Sequence, residues 1–390
     1  MDIRYFDHAA SSWPKPPTVE EAMVRCIREF GANPGRGGHQ QAIQASRTLY
    51  ETRVNLAKLF HVKNPNDIAF TLNATAALNL ALKGYLKPGQ HVVSTSIEHN
   101  SVRRPLTYLA SEIGIEVTYV ATDTQGRLDL NKLEEAMRPD TAVVVCSHSS
   151  NLLGSVLPIA EMAVIAHRFG ARFVVDAAQT AGTYPIDVEA LCVDMLAFPG
   201  HKGLLGPQGT GGLYIHPEIE LEPLIHGGTG SRSEDPDMPF VRPDRYEGGT
   251  PNTVGIAGLN EGVKLVLHES VPKIHNKEWE LSQRLMNGLQ RISGITLLGP
   301  ALGEDRTGIV SFSLDQADCS ETAFILDQSF KIAVRSGYHC TPLGHETAGT
   351  LAGGAVRASV GYYTTEEDVD YFVAAMEEIA RHYEQNNGVF

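Results

Sequence analysis

No stretch of this chain is basic. Its 32 lysines and arginines are outnumbered by 46 aspartates and glutamates, for a net charge of −14, and nowhere gather into a run. Nucleic acid and anionic membrane surfaces are therefore poor electrostatic partners. Long apolar runs are lacking as well: none approaches the ~18 residues of a membrane span. The opening "MDIRYFDHAASSWPKPP" has no apolar core behind a basic start, as a secretory leader needs. These absences predict a soluble, cytoplasmic protein. Cysteine is sparse too. Cys26, Cys146, Cys192, Cys319 and Cys340 are odd in number, scattered and without a C-x-x-C pair. That argues against a disulfide framework or a zinc site and leaves free thiols. The histidines also lack ligand spacing, so no metal is expected.

What is present is ordinary globular material, 390 residues with 42% hydrophobic and 20% charged. A chain of this length buries a large core and divides into about two domains. From Thr18 onward, helical periodicity alternates with short apolar runs rich in β-branched residues. Seven runs read as strands: 67–72, 91–96, 116–121, 141–148, 171–177, 194–198 and 210–215. With helices between most of them, the pattern predicts an α/β domain with a mainly parallel seven-stranded sheet covered on both faces. After "YEGGTPNT" the texture changes to long amphipathic helices, then the strands "TGIVSFSL", "IAVRSG" and "AVRASV", then a terminal helix. The expected division is a large domain over 16–255 and a small α+β domain over 256–390, joined by the N-terminal segment 1–15.

Ligands of open α/β sheets sit at the carboxyl ends of strands, and polar residues cluster there. "NATAALNL" opens a helix at Asn73, Ala74 and Thr75, a natural phosphate site, although a plain N-cap reads the same way. "SIEHN" sets His99 after one strand and "SHSSNLLG" sets Asn151 after another. In "VVDAAQ", Asp176 ends the most apolar strand, where a carboxylate needs a cation or a strong donor. Gln179 lies just beyond. "FPGHKGLLGPQGTG" then places Lys202 beside His201 in a glycine-rich turn. It is not a P-loop, since His201 precedes the lysine, Gly203 follows it, and a strand comes next. Pyridoxal phosphate needs a lysine for its aldehyde, an anion for its ring nitrogen, a phosphate cradle and a flat group over the ring. Thr75, His99, Asp176, Gln179, His201 and Lys202 supply that set, and the glycines would let the backbone pass close to the ring.

The same motifs, with "YFDHAASSWPKP", "NPGRGGHQQA", "EGGTPNT", "RSGYHCTPLG" and "VRASVGYYTTEEDVD", resemble the class V aminotransferase family of fold-type I pyridoxal-phosphate enzymes. The resemblance is to the cysteine desulfurase and selenocysteine lyase branch. It implies that Lys202 carries the cofactor, Asp176 pairs with the pyridine nitrogen, Gln179 bonds the phenolic oxygen and His99 stacks on the ring. Thr75 and His201 would hold the phosphate. Thr250 would reach the phosphate of a neighbouring subunit's cofactor, so a homodimer is implied. Arg357 would clamp the substrate carboxylate, helped by Arg335 and Asn151; Arg36 and His39 match a segment near the site. Cys340, in an R-x-G-x-H-C pattern like that of the second desulfurase group, would take sulfur from L-cysteine as a persulfide, releasing alanine, and pass it to an acceptor. Cys26, Cys146 and Cys192 read instead as small buried hydrophobes on apolar helices or strands.

Two features depart from the family pattern. Pro199 stands two residues before His201, where a hydroxyl for the phosphate is usual. Residues 341–355 form a longer glycine-rich loop than the pattern has, in which His345 reads as a solvated loop histidine. Selenocysteine lyase, another class V aminotransferase or lyase, and a non-catalytic binding protein on the same fold stay open as readings.

Overall fold

The computed structural model describes residues 3–35, 37–315 and 317–385. Its main sheet has seven strands in the spatial order Ile68–Thr71, Gly211–Ile215, Met195–Pro199, Arg172–Asp176, Thr141–Ser147, His91–Thr95 and Glu116–Val120. All seven fall within a residue of the runs read from sequence. Neighbours from Met195–Pro199 onward are parallel. Gly211–Ile215 runs antiparallel to both of its neighbours. It has to: the turn carrying Lys202 joins it to Met195–Pro199 without a crossover helix, and a short connection can only reverse the chain. The other strands bring their carboxyl ends to one edge of the sheet. The central strands are buried at nearly every position because helices cover both faces.

The second sheet is antiparallel, in the order Arg335–Gly337, Ala355–Ser359, Ile309–Leu314, Ile295–Leu298. It packs Val310, Phe312 and Val356 against helices Val271–Leu289 and Glu366–Gln385. Ile295–Leu298, a half-exposed edge strand, was not among the strands expected. "IAVRSG" divides into two short strands, the first of which pairs in parallel with Arg4–Tyr5. Helix Thr253–Glu269 places Ile256, Leu259, Val263 and Val266 in the larger core. By packing, this helix belongs with the larger core.

Residues 4–15 tie the two parts together. Phe6 sits in the smaller core, and Asp7 pairs with Arg357. The Ser12 N–H and the Lys15 ammonium both donate to the carbonyl of His201, at 2.9 Å each. Among the described residues no helix is long and apolar enough to cross a membrane, and no His/Cys/Asp/Glu group could hold a metal ion.

Candidate active site

At the carboxyl edge of the main sheet lies a cavity of about 210 Å³. Asn73, Ala74, Thr75, His99, Asn151, Asp176, Gln179, His201, Lys202, Arg335 and Arg357 all line it, though they are drawn from five strand ends and two sheets. Cys340 and Thr250 do not. Thr250 faces a separate surface cavity of about 770 Å³ that it shares with His39 and Arg53. Arg36 lies outside the described residues.

Lys202 projects from the reversal between two antiparallel strands. The Gly200 N–H donates to the Thr210 carbonyl at 2.7 Å, and the Leu205 N–H closes a turn on the Lys202 carbonyl at 2.9 Å. The glycines here make room for protein: a Cβ on Gly203 would stand 2.5 Å from the Ala181 carbonyl oxygen, and one on Gly200 2.1 Å from Thr210 Oγ1. Gly203 thus approaches the segment that follows Asp176, and Gly200 the start of the next strand. Gly203→Ala should cost about 1–3 kcal/mol through overpacking, read as a lowered denaturant midpoint with unchanged slope.

Burial, and next to it the charge of Arg357, lowers the Lys202 amine from 10.5 to about 8, while Asp176 acts in the opposite sense. The amine is thus much more available as a nucleophile near neutrality than a free lysine. Loading of the cofactor-free protein with pyridoxal phosphate should accelerate through a midpoint near pH 8, followed by absorbance; a midpoint near 10 would contradict this environment.

Asp176 is buried, and its Oδ1 accepts one bond, from the Ala178 N–H at 2.9 Å. Burial raises its pKa, with Lys202 opposing. No side-chain donor reaches it among the described residues, so a cationic N–H entering the cavity would meet an under-supplied carboxylate. Gln179 donates one of its two amide N–H groups to the Ala9 carbonyl at 3.2 Å.

Two helix N-termini face the same end of the cavity. Asn73 caps helix Ala74–Tyr85, accepting from the Ala76 N–H at 2.9 Å. His99 caps helix Asn100–Ile113, its Nδ1 accepting from the Ser101 N–H at 3.1 Å. Thr75 and Ser101 hydroxyls bridge the two at 2.7 Å. Ser101 was missed in sequence because its role exists only where the helix ends meet. The first-turn N–H groups and these hydroxyls suit a phosphate. Nearby, the buried Nδ1 of His201 has no protein partner, and Pro199 lines the cavity without a donor. Burial, then Lys202, Arg335 and Arg357, pushes His99 down to about 4. Its ring is neutral and flat at pH 7.

At the opposite end, Arg335 and Arg357 are cross-strand partners. Like charges placed opposite each other destabilise a sheet and call for an anion. Arg357 is buried, donating Nη1 to the Asn151 carbonyl at 3.0 Å and Nη2 to Asp7 Oδ1 at 2.9 Å. Asp7 was another residue the sequence reading missed; the quoted "YFDHAAS" motif was its one signal. The Asn151 amide donates to the His339 carbonyl at 2.7 Å.

Cys340 stands exposed at the rim, its Sγ 3.9 Å from Arg335 Nη2. Cys26, Cys146 and Cys319 are buried, but Cys192 is exposed. It is not on a strand; it lies in a left-handed turn just before Val193, with φ of 51°. His345 also differs from expectation: it is fully buried, and the 341–355 segment contains a helix, Pro342–Thr347.

Taken together, a lysine, an under-supplied carboxylate, a phosphate-ready pair of helix ends and a neutral stacking ring fit pyridoxal phosphate. Comparison with known proteins points the same way. The aminotransferase class-V family model matches residues 4–372. A probable cysteine desulfurase of Methanothermobacter thermautotrophicus is 37% identical, covering 97% of this chain and 95% of that one. The cysteine desulfurase IscS of Vibrio atlanticus is 34% identical over 95% and 91% of the two chains. Among solved structures, the apo cysteine desulfurase of Thermococcus onnurineus superposes with a TM-score of 0.92 at 35% identity, covering 97% of this chain and 95% of that one. With both the strand-end site and the whole-length match in hand, the chain belongs to the class V aminotransferase family.

Proposed function

We propose that this protein is a pyridoxal-phosphate-dependent cysteine desulfurase that converts L-cysteine to L-alanine and receives the sulfur on Cys340. The observation that carries the reading is the exposed Cys340 thiol beside Arg335, at the mouth of a cavity holding Lys202 and a cross-strand arginine pair. The cysteine desulfurases at similar full-length coverage support it.

Thr75, the helix ends at Asn73–Ala74 and His201 would hold the cofactor phosphate. Asp176 would face the ring nitrogen, Gln179 the phenolic oxygen and His99 the ring face. Bound there, pyridoxal phosphate supplies an electron sink that lets the substrate lose its α-proton and weakens its Cβ–S bond. Arg357, with Arg335 and Asn151, clamps the substrate carboxylate through a planar fork of donors. Lys202 takes the α-proton at Nζ and can return it to carbon. The Cys340 thiolate attacks the substrate sulfur: an S–S bond forms as the Cβ–S bond breaks, and its electrons return to the carbon skeleton, which is protonated to alanine. The balance is cysteine plus protein thiol giving alanine plus protein persulfide. A thiol reductant, or the thiol of an acceptor protein, then removes the sulfur.

Thr250 lies away from Lys202 within one chain, as it would if it served the cofactor phosphate of a second copy in a homodimer. Five unpaired thiols suit a reducing, cytoplasmic compartment.

The test is to incubate the pyridoxal-phosphate-loaded protein with L-cysteine and a thiol reductant and to measure alanine and sulfide together. Equal amounts, with a persulfide on the Cys340 peptide by mass spectrometry before reductant is added, support the reading. Alanine without sulfide would point to an aminotransferase. Strong preference for selenocysteine would point to a lyase.

A further inference from the structure

The segment between Cys340 and Arg357 folds into a cap rather than an open loop. At its centre His345 is 0% exposed. Its Nδ1 pairs with Thr350 Oγ1 at 2.8 Å. Its ring lies nearly parallel to that of His339, with centroids 5.7 Å apart and planes at 19°. Tyr338 meets it edge-on at 5.5 Å, and the Tyr338 hydroxyl donates to the Leu351 carbonyl at 3.0 Å. Both residues immediately before Cys340 therefore pack on His345. Burial, then Arg357, pushes His339 down to about 3, and burial lowers His345 as well. Two neutral imidazoles can lie face to face without repulsion.

The turn they lead into is strained. His339 has φ of 48° and Cys340 of 59°, and neither is glycine. Such a conformation costs roughly 1–2 kcal/mol per residue and persists where the surroundings over-determine it. On one side the large domain does so. The Asn151 amide donates to the His339 carbonyl at 2.7 Å, the Asn100 N–H to the Cys340 carbonyl at 2.8 Å, and the Thr341 hydroxyl to the Glu98 carbonyl at 2.9 Å. Asn100 opens the helix that His99 caps, so the Cys340 carbonyl is fixed to the helix end that presents His99 to the cavity. On the other side the His339 ring is held by its Nε2 bond to the Ala355 carbonyl at 3.0 Å and by its stack on His345. His345 itself does not line the cavity, which leaves it no direct part in chemistry there.

We propose that His345 is a positioning residue for Cys340: stacked on His339 and oriented by Thr350, it holds the His339–Cys340 turn left-handed and so sets where the thiol stands at the cavity mouth. The proposal rests on the reading of Cys340 as the sulfur-accepting nucleophile.

The test uses the loaded, full-length protein and two readouts. The first is the rate of Cys340 alkylation by iodoacetamide, followed on its peptide by mass spectrometry, which needs no turnover. The second is alanine formation from L-cysteine and from L-selenocysteine, whose selenium leaves carbon more readily and depends less on a thiol's attack. His345→Ala should change the alkylation rate at least threefold and lower kcat for L-cysteine about tenfold, as misplacement of a reacting group does. KM and selenocysteine turnover should stay within twofold. His345→Phe, which keeps a flat ring, should recover most of the loss. Thr350→Val, which frees the ring's orientation, should fall between and serves if the alanine variant does not fold. Equal losses with both substrates would make His345 a general support of the fold and overturn the proposal. So would unchanged alkylation together with unchanged cysteine turnover. If the parent turns over neither substrate while alkylation still responds to the variants, the positioning stands and the desulfurase reading falls.

Discussion

Cys340→Ser should lower L-cysteine turnover by roughly a thousandfold or more while leaving the protein folded and able to load cofactor. The side chain is exposed, with its Sγ 3.9 Å from Arg335 Nη2, so its replacement removes no core contact. What it removes is the thiol proposed to attack the substrate's divalent sulfur; a serine hydroxyl, un-ionised near pH 7, cannot take sulfur from carbon. Alanine and sulfide should vanish together with L-cysteine, and thermal stability should stay within about 0.5 kcal/mol of the parent, as for surface substitutions. Selenocysteine turnover should survive to a much greater extent. Retention of both products from L-cysteine would remove Cys340 from the reaction, and the desulfurase mechanism proposed for it would fail.

Lys202→Ala should be at least as damaging, by about 10⁴-fold or more, because in the proposed reaction one amine would both anchor the cofactor and move the α-proton. It should also abolish the visible band of the covalently held cofactor, a readout independent of turnover. A second signature comes from linkage. The folded pKa of Lys202 is lowered from 10.5 to about 8, so between those values the unfolded chain holds more protons than the folded one. The cofactor-free parent therefore gains stability from this group as pH rises from 8 to 10.5, and below 8 the contribution is flat. Denaturant midpoints of the cofactor-free parent and variant, compared at pH 7 and pH 10, should show that gain in the parent alone. Parallel behaviour would mean that the amine is not held in the desolvated setting described.

Most of the main sheet was legible because buried strands write themselves as β-branched runs, and the carboxyl ends of those runs delivered Thr75, His99, Asp176 and Lys202 to one place. Residues whose roles depend on distant partners were not legible. Asp7 is 350 positions from Arg357, and nothing near "FDHAA" signals an ion pair with a strand at the other end of the chain. Ser101 matters only where two helix ends converge. His345 misled because its immediate neighbours are glycine and glutamate, whereas its burial is imposed by Tyr338 and His339 folding over it. Cys192 misled in the opposite sense: "EALCVDM" looks apolar, yet the chain turns there and leaves the thiol outside. The edge strand Ile295–Leu298 has too weak an alternation of burial to stand out.

The N-terminal tie bears on how the protein comes into being at the ribosome. The Arg4 N–H bonds the Lys331 carbonyl at 2.9 Å, the Phe6 N–H the Ala333 carbonyl at 2.8 Å, and the Ser359 N–H the Phe6 carbonyl at 2.7 Å. Residues 4–7 are thus made long before these strand partners. Domains generally fold during synthesis in the order they emerge, so the main sheet can form while these residues wait. At about 5–20 residues per second, the interval between Asp7 and Arg357 is tens of seconds. A nascent chain stalled short of Arg357 would present Lys202 and Asp176 without the arginine proposed to hold the substrate carboxylate. Made 350 positions before Arg357, Asp7 can pair with it only once that later strand exists, so this side of the cavity closes late.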